Sequence, residues 1–246
     1  MFKIIVAILF SLFLNPLYAN NLYAKSWLVA DADGRVLESQ NINIVQPIAS
    51  ITKLMTVIVV LDSKQDLNEQ IKNFRGTTLT RQKLIDLAIV HSDNQAADKL
   101  CKLYRGGYQL CIHDMNRKAI SLGMYNTIFA DSTGLDNRNV SSPTDLIKLL
   151  QAAEKYPHIV NASNQSSVNL QKKKKKRIMN VKFTNTNPLV VKYNVIVSKT
   201  GYVRASGGCL VMSVFINGKK KIFVVLNSKT TKTRIHDMEK LILAWG

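Results

Sequence analysis

The chain has 246 residues, of which 46% are hydrophobic and 20% charged, with a formal net charge of +18. That length suits one large domain or two interleaved subdomains with a real core, and the composition is that of a globular protein rather than a disordered or fibrous one. So basic a chain calls for an anionic partner, nucleic acid being the first that charge alone suggests.

The first elements narrow that choice. Met1-Phe2-Lys3 carries one positive charge, Ile4 to Leu14 is apolar except for Ser11, and Asn15-Pro16 leads to Ala19. This is the three-part layout of a secretory signal peptide, and it is short for a membrane span. Residues 1–19 are read as that signal, with cleavage after Ala19 or Ala24 and an uncleaved anchor as the alternative. A soluble protein of the periplasm is expected. Loss of Lys3 leaves 33 basic against 16 acidic residues, a charge of +17. An exported protein rarely meets nucleic acid, so no nucleic acid is expected as partner. Peripheral contact with an anionic wall polymer or lipid surface competes with a plain solubility role for the charge.

Residues 26–40, SWLVADADGRVLESQ, read as a hairpin around Asp33-Gly34. Residues 50–62 read as a helix, and so do Thr80–Val90, Asn94–Tyr104, Gln109–Ser121 and Pro143–Lys155, from the spacing of their apolar positions. The lysine run QKKKKKR at 171–177 repels itself and reads as a solvated loop, with contact to an anionic polymer as the alternative. Beyond residue 178 the texture turns to β-type runs, NVIVSKTG, GCLVMSVFI and KKIFVVLNS. Asn217-Gly218 joins the last two as a hairpin turn, and 235–245 closes the chain as a helix. The expected plan is α/β (α+β): an antiparallel sheet subdomain from 20–48 plus 178–246, an inserted all-helical subdomain at 49–160, and a basic loop at 161–177. Cys101 and Cys111 are close enough in sequence to pair, Cys209 would then stay free, and none shows metal-ligand spacing. No metal and no cofactor is expected.

Within the apolar run from Ile51 to Leu61 only Thr52, Lys53 and Thr56 are polar. A helix apolar on nearly all sides is buried, and Ser50 and Lys53 lie one turn apart on the same face. Burial disfavours the ammonium and lowers its pKa, so Lys53 can accept a proton from Ser50 and make it a nucleophile beside a positive helix terminus. The plainer alternative has Ser50 as an N-cap and Lys53 snorkelling to solvent. Two further stretches bear on this. Ser92-Asp93-Asn94 stands between two helices, where Ser92 with Gln95 also fits a capping box. Lys199-Thr200-Gly201 ends a β-run, reading either as a strand entering a glycine turn or as an edge strand offering a cation, a hydroxyl and backbone groups to a peptide.

Ser-x-x-Lys, Ser-Asp-Asn and Lys-Thr-Gly in this order are the signature of the penicillin-recognising serine acyl transferases. Over nearly all of the mature chain, stretches such as SITKLMT, HSDNQAADKL, STGLDNRNVSSPTDL, TNTNPLVVKYN and SKTGY resemble the low-molecular-mass D-alanyl-D-alanine endopeptidases, close relatives of the D-alanyl-D-alanine carboxypeptidases. The resemblance implies peptidoglycan peptide stems as substrate and β-lactams as covalent inhibitors. It implies Ser50 as nucleophile, Lys53 as base and Ser92, with Lys199 nearby, as proton relay to the leaving amine. Asn94 would hold the substrate amide or place Lys53, Lys199, Thr200 and Gly201 would form the substrate-binding strand, and the amides of Ser50 and Tyr202 the oxyanion hole. RASGG at 204–208 departs from the more acidic or amide-bearing stretch expected after the third motif. Three rivals are weighed against this. A class A β-lactamase needs a glutamate for deacylation, and the only glutamate between Ser92 and Lys199 is Glu154, in the wrong context. A non-catalytic wall-binding protein would carry a broken site, and all three motifs are intact. A histidine hydrolase would need a triad that His91, His113, His158 and His236 do not suggest.

Overall fold

The computed structural model describes residues 22–174 and 177–245, so the signal segment at 1–19 lies outside the described residues. Strands β1 (Ser26–Asp31) and β2 (Val36–Gln40) form the expected first hairpin. Next come the two-residue β3 (Gln46–Pro47), a 3-10 turn at Ala49–Ile51 and α1 (Thr52–Asp62). The hairpin β4 (Gln70–Phe74) and β5 (Thr77–Thr80) precedes α2 (Arg81–Val90), α3 (Asn94–Lys102) and α4 (Gly107–Ser121). The short β6 (Val140–Ser141), α5 (Pro143–Ala153) and α6 (Pro157–Asn164) lead to a second hairpin, β7 (Ser167–Lys174) and β8 (Arg177–Thr184). The chain ends with β9 (Asn194–Val203), β10 (Gly207–Ile216), β11 (Lys219–Ser228) and α7 (Thr233–Trp245).

Five strands form one antiparallel sheet in the order β2-β1-β11-β10-β9, so the two ends of the chain meet in it and β9 is an edge. Alternation along the strands divides the core in two. Trp27, Val29, Leu210, Met212, Phe223 and Val225 face Met238, Leu241 and Ile242 of α7. Leu28, Ala30, Val211, Ile222 and Val224 face the other way and join the apolar interior of α1, α2 and α5. That second core explains why α1 is apolar all round: Thr52 to Val60 are all buried.

Two expectations change. The inserted helical region is broken by the β4–β5 hairpin, the β3–β6 pair and an irregular stretch at 122–139. The described part of 161–177 is not a loop: it holds the end of α6, β7 and the start of β8, and a division at 178 cuts through the β7–β8 hairpin. Register explains it, for Val168 pairs with Phe183 and Leu170 with Val181. Those alternate residues pack on the helical core, and that burial outweighs the repulsion of the lysine run beyond them. The cysteines follow expectation: Cys101 and Cys111 form a disulfide with Cα atoms 5.5 Å apart, joining α3 to α4, while Cys209 is free and buried. Among the described residues no helix is long and apolar enough to cross a membrane.

Candidate active site

The site lies where the start of α1 meets the edge strand β9 and the loop before α3. Ser50 sits in the 3-10 turn that opens into α1, and Ala49 before it adopts a left-handed φ of 48°. A non-glycine residue there is strained, a cost that concentrates at functional turns. Ser50 does not cap the helix: Ile51 is at the N-cap position of α1 and no side chain caps it. Nor does Lys53 snorkel. It is 0% exposed, and its Nζ lies 2.7 Å from Ser50 Oγ, 2.7 Å from Asn94 Oδ1 and 2.6 Å from the Thr133 carbonyl oxygen.

Burial lowers the pKa of Lys53 to about 7, against the opposing pull of Asp131 and Asp93. Near neutrality the amine is therefore often uncharged. A neutral amine donates two hydrogen bonds and accepts one. Asn94 Oδ1 and the Thr133 carbonyl can only accept, so the lone pair is left for the Ser50 hydroxyl, the one partner able to donate.

The Ser92–Asn94 loop is shaped by its own backbone. Ser92 has φ of 58°, and the cap of α3 is Asp93, whose carboxylate accepts the Ala96 N–H at 2.9 Å, rather than Ser92 in a box with Gln95. Capping by Asp93 leaves both neighbours free for other work. Asn94 joins the Lys53 cluster, whereas the hydroxyl of Ser92 has no hydrogen-bond partner among the described residues.

Across the cleft runs β9. A Cβ on Gly201 would lie 2.8 Å from the Ile48 carbonyl oxygen and 3.0 Å from the Ser50 nitrogen, so only glycine lets the strand come this near the nucleophile turn. Tyr202, the other expected oxyanion donor, follows directly and is half exposed. Lys199 is 1% exposed and donates to the Thr200 carbonyl at 3.0 Å, while Thr200 Oγ1 donates to Thr186 Oγ1 at 2.6 Å. Burial pushes the Lys199 pKa well down, and the nearby positive charges of Lys53 and Arg234 push it further.

Two contributors escaped sequence reasoning. Asp131 gathers the amides of Thr133, Gly134 and Asp136 into a tight loop, which presents the Thr133 carbonyl to Lys53. The stretch STGLDN was visible as part of a resemblance, without a role. Arg234, on α7, donates to the Gly201 carbonyl at 2.6 Å, and its Nε is buried without a partner. Among the described residues neither Lys199 nor Arg234 pairs with a carboxylate, so two buried basic side chains flank β9 without an anion. No motif announced Arg234, because α7 follows the third motif only after two more strands.

The rival bases stand elsewhere. Glu154 pairs with Lys220 at 2.7 Å, and His91 Nδ1 contacts the Thr184 carbonyl oxygen at 2.9 Å with its ring edge-on to Phe183.

The relatives agree with the fold and the family. The sequence profile of the S11 peptidases, described as D-alanyl-D-alanine carboxypeptidase, matches residues 15–75 and 67–230. A D-alanyl-D-alanine endopeptidase of Escherichia coli K12 is 37% identical over 226 residues, which span 84% of this chain and 72% of the relative. One from Pseudomonas aeruginosa is 38% identical over 240 residues, 89% of this chain and 76% of the relative. The crystal structure of penicillin-binding protein D2 from Listeria monocytogenes in its ampicillin-bound form superposes with a TM-score of 0.80 at 26% identity, covering 91% of this chain and 97% of that one. With its fold matched and the family profile covering most of its residues, the chain belongs to the D-alanyl-D-alanine carboxypeptidase family of S11 serine peptidases.

Proposed function

We propose that the chain is a D-alanyl-D-alanine endopeptidase that cuts the bond from D-Ala to the side amine of diaminopimelate in peptidoglycan cross-links, through an acyl-enzyme on Ser50. The observation that carries this reading is the buried amine of Lys53, 2.7 Å from Ser50 Oγ with a pKa of about 7. Neutral Lys53 takes the hydroxyl proton as Oγ bonds to the D-Ala carbonyl carbon, and the carbonyl electron pair moves onto oxygen. The amides of Ser50 and Tyr202 receive that oxyanion, each donor contributing on the order of 3 kcal/mol. Collapse breaks the C–N bond, and the leaving amine takes its proton by way of Ser92, with Lys199 nearby. Water then adds to the Ser50 ester, releases the D-Ala carboxyl and restores the hydroxyl.

Lys199, Thr200 and Arg234 bind the carboxylate beside the scissile amine, which supplies the anion these basic side chains lack. Asn94 places Lys53, the second of its two expected roles, supported by their 2.7 Å contact. β9 offers its free edge to the extended stem peptide. The scheme uses no metal and no cofactor. The ampicillin-bound Listeria relative supports acylation of Ser50 by β-lactams, and with Glu154 tied to Lys220 the adduct is expected to persist. Peptidoglycan as substrate and the segment at 1–19 together support a periplasmic location, and the basic surface suits peripheral contact with the wall.

A carboxypeptidase that trims terminal D-Ala is the second reading, favoured by the family description, and both reactions begin with the same acylation. The endopeptidase names of the relatives at 37% and 38% identity favour the first. Digestion of purified peptidoglycan, with products resolved by mass, decides between them. Loss of cross-linked dimers is expected, dependent on Ser50 and absent from S50A. Trimming of terminal D-Ala with dimers intact would reverse the order of the two readings.

A further inference from the structure

The β4–β5 hairpin reaches the site from outside all three motifs. Arg75 stands at its tip, at a left-handed φ of 50°. Its Nη2 lies 2.7 Å from Asp93 Oδ2, and its Nε donates to Gln95 Oε1 at 2.8 Å. The guanidinium carbon is 5.4 Å from the ring centroid of Phe74 and 5.9 Å from that of Phe183, so β4 and β8 hold it through their aromatic rings. Asp93 in turn caps α3 with its other oxygen and stands between Ser92 and Asn94. An exposed ion pair contributes little, but the carboxylate here is 2% exposed and the arginine side chain 30%, and its acidic member belongs to the second motif.

We propose that Arg75 is a positioning residue for the reaction: it offsets the charge of Asp93 beside Lys53 and fixes the loop that carries Ser92 and Asn94. The inference rests on the Ser50–Lys53 reading given above. Removing Arg75 leaves Asp93 buried and unpaired, which strains its loop and alters the field at the amine. The charges facing Lys53 come from several elements. Asp93 before α3 and Asp131 before β6 draw protons to it, and Lys53 in turn lowers the pKa of Lys199 on β9. Arg75 stands behind Asp93, and Arg234 of α7 acts on Lys199. Loss of the Arg75 charge therefore strengthens the hold of Asp93 on the Lys53 proton, and the base is generated only at higher pH.

The test is the rate of Ser50 labelling by a fluorescent penicillin as a function of pH, on the full mature chain. In R75Q the midpoint of the rising limb is expected to move up by about 0.5–1 pH unit, the scale of one partly screened charge. R75K keeps the charge without the fork, so its midpoint should stay while its plateau rate falls. R75Q/D93N removes both charges and should bring the midpoint back. D93N alone should move it down, which gives a reading even where R75Q folds poorly. A purely structural arginine would lower the R75Q rate by one factor at every pH, and that result, or no change at all, overturns the proposal. A wild-type protein that is not labelled at Ser50 removes the Ser–Lys reading and this proposal with it. A labelled wild type with an unshifted R75Q removes only the role of Arg75.

Discussion

Gly201→Ala measures how closely β9 must approach the nucleophile. The added methyl would lie 2.8 Å from the Ile48 carbonyl oxygen, 3.0 Å from Ala49 Cβ and 3.0 Å from the Ser50 nitrogen. Comfortable contact begins at roughly 3.5 Å, so the strand or the turn must withdraw by about half an ångström. Neither moves freely. The turn is pinned where Ile48 N–H donates to the Asn139 carbonyl at 3.0 Å, and Arg234 holds the Gly201 carbonyl at 2.6 Å. Overpacking of this kind costs about 1–3 kcal/mol, or several degrees in Tm for a chain of this size. The effect on chemistry is larger, because the withdrawal separates the amides of Ser50 and Tyr202, and one lost oxyanion donor lowers the rate by about 10²–10³-fold. The assay is the acylation rate with a fluorescent penicillin, paired with a thermal melt. A G201A protein that acylates at the wild-type rate with unchanged Tm would refute the claim that β9 and the Ser50 turn form one rigid site.

Two more outcomes follow from the charges. The Lys53 pKa is about 7 in the folded protein against 10.5 for the free side chain. Between those values the unfolded chain holds a proton that the folded one has released, so folding is favoured as pH rises. Below about pH 7 both states are protonated and the cost of burying the ammonium is fully felt. Relative to K53M, the wild type should gain up to about 1.4 kcal/mol per pH unit across that window, read from urea melts near neutrality and in mild alkali. A pH-independent difference would contradict the burial argument. R234Q should raise KM by roughly 10–100-fold for a peptide with a carboxylate on the leaving residue, the scale of a charge-assisted hydrogen bond. The matching amide should be affected far less; equal losses on both peptides would show that Arg234 acts only through the Gly201 carbonyl.

What the sequence disclosed depended on how local each signal was. Periodicity located α1, α2, α4, α5 and the final three strands, because their buried faces are written in adjacent residues. The lysine run misled, since its charge was read without the alternation of Val168 and Leu170 just before it, and that alternation is what seats β7 on the helical core. The polar β4–β5 hairpin carried no alternation to find, yet it delivers Arg75 to the second motif. Ser50 and Lys53 were legible because one helical turn fixes their separation. The Thr133 carbonyl and Arg234 were not, because each reaches the site through tertiary packing of a distant segment.

The most direct test is titration of Lys53 itself, followed by NMR of the lysine side chain in protein labelled at lysine, with K53M to assign the resonance. A midpoint near 7 is predicted. A midpoint near the free-lysine value of 10.5 would mean an amine charged throughout the neutral range, unable to take the Ser50 proton, and would contradict the mechanism at its first step.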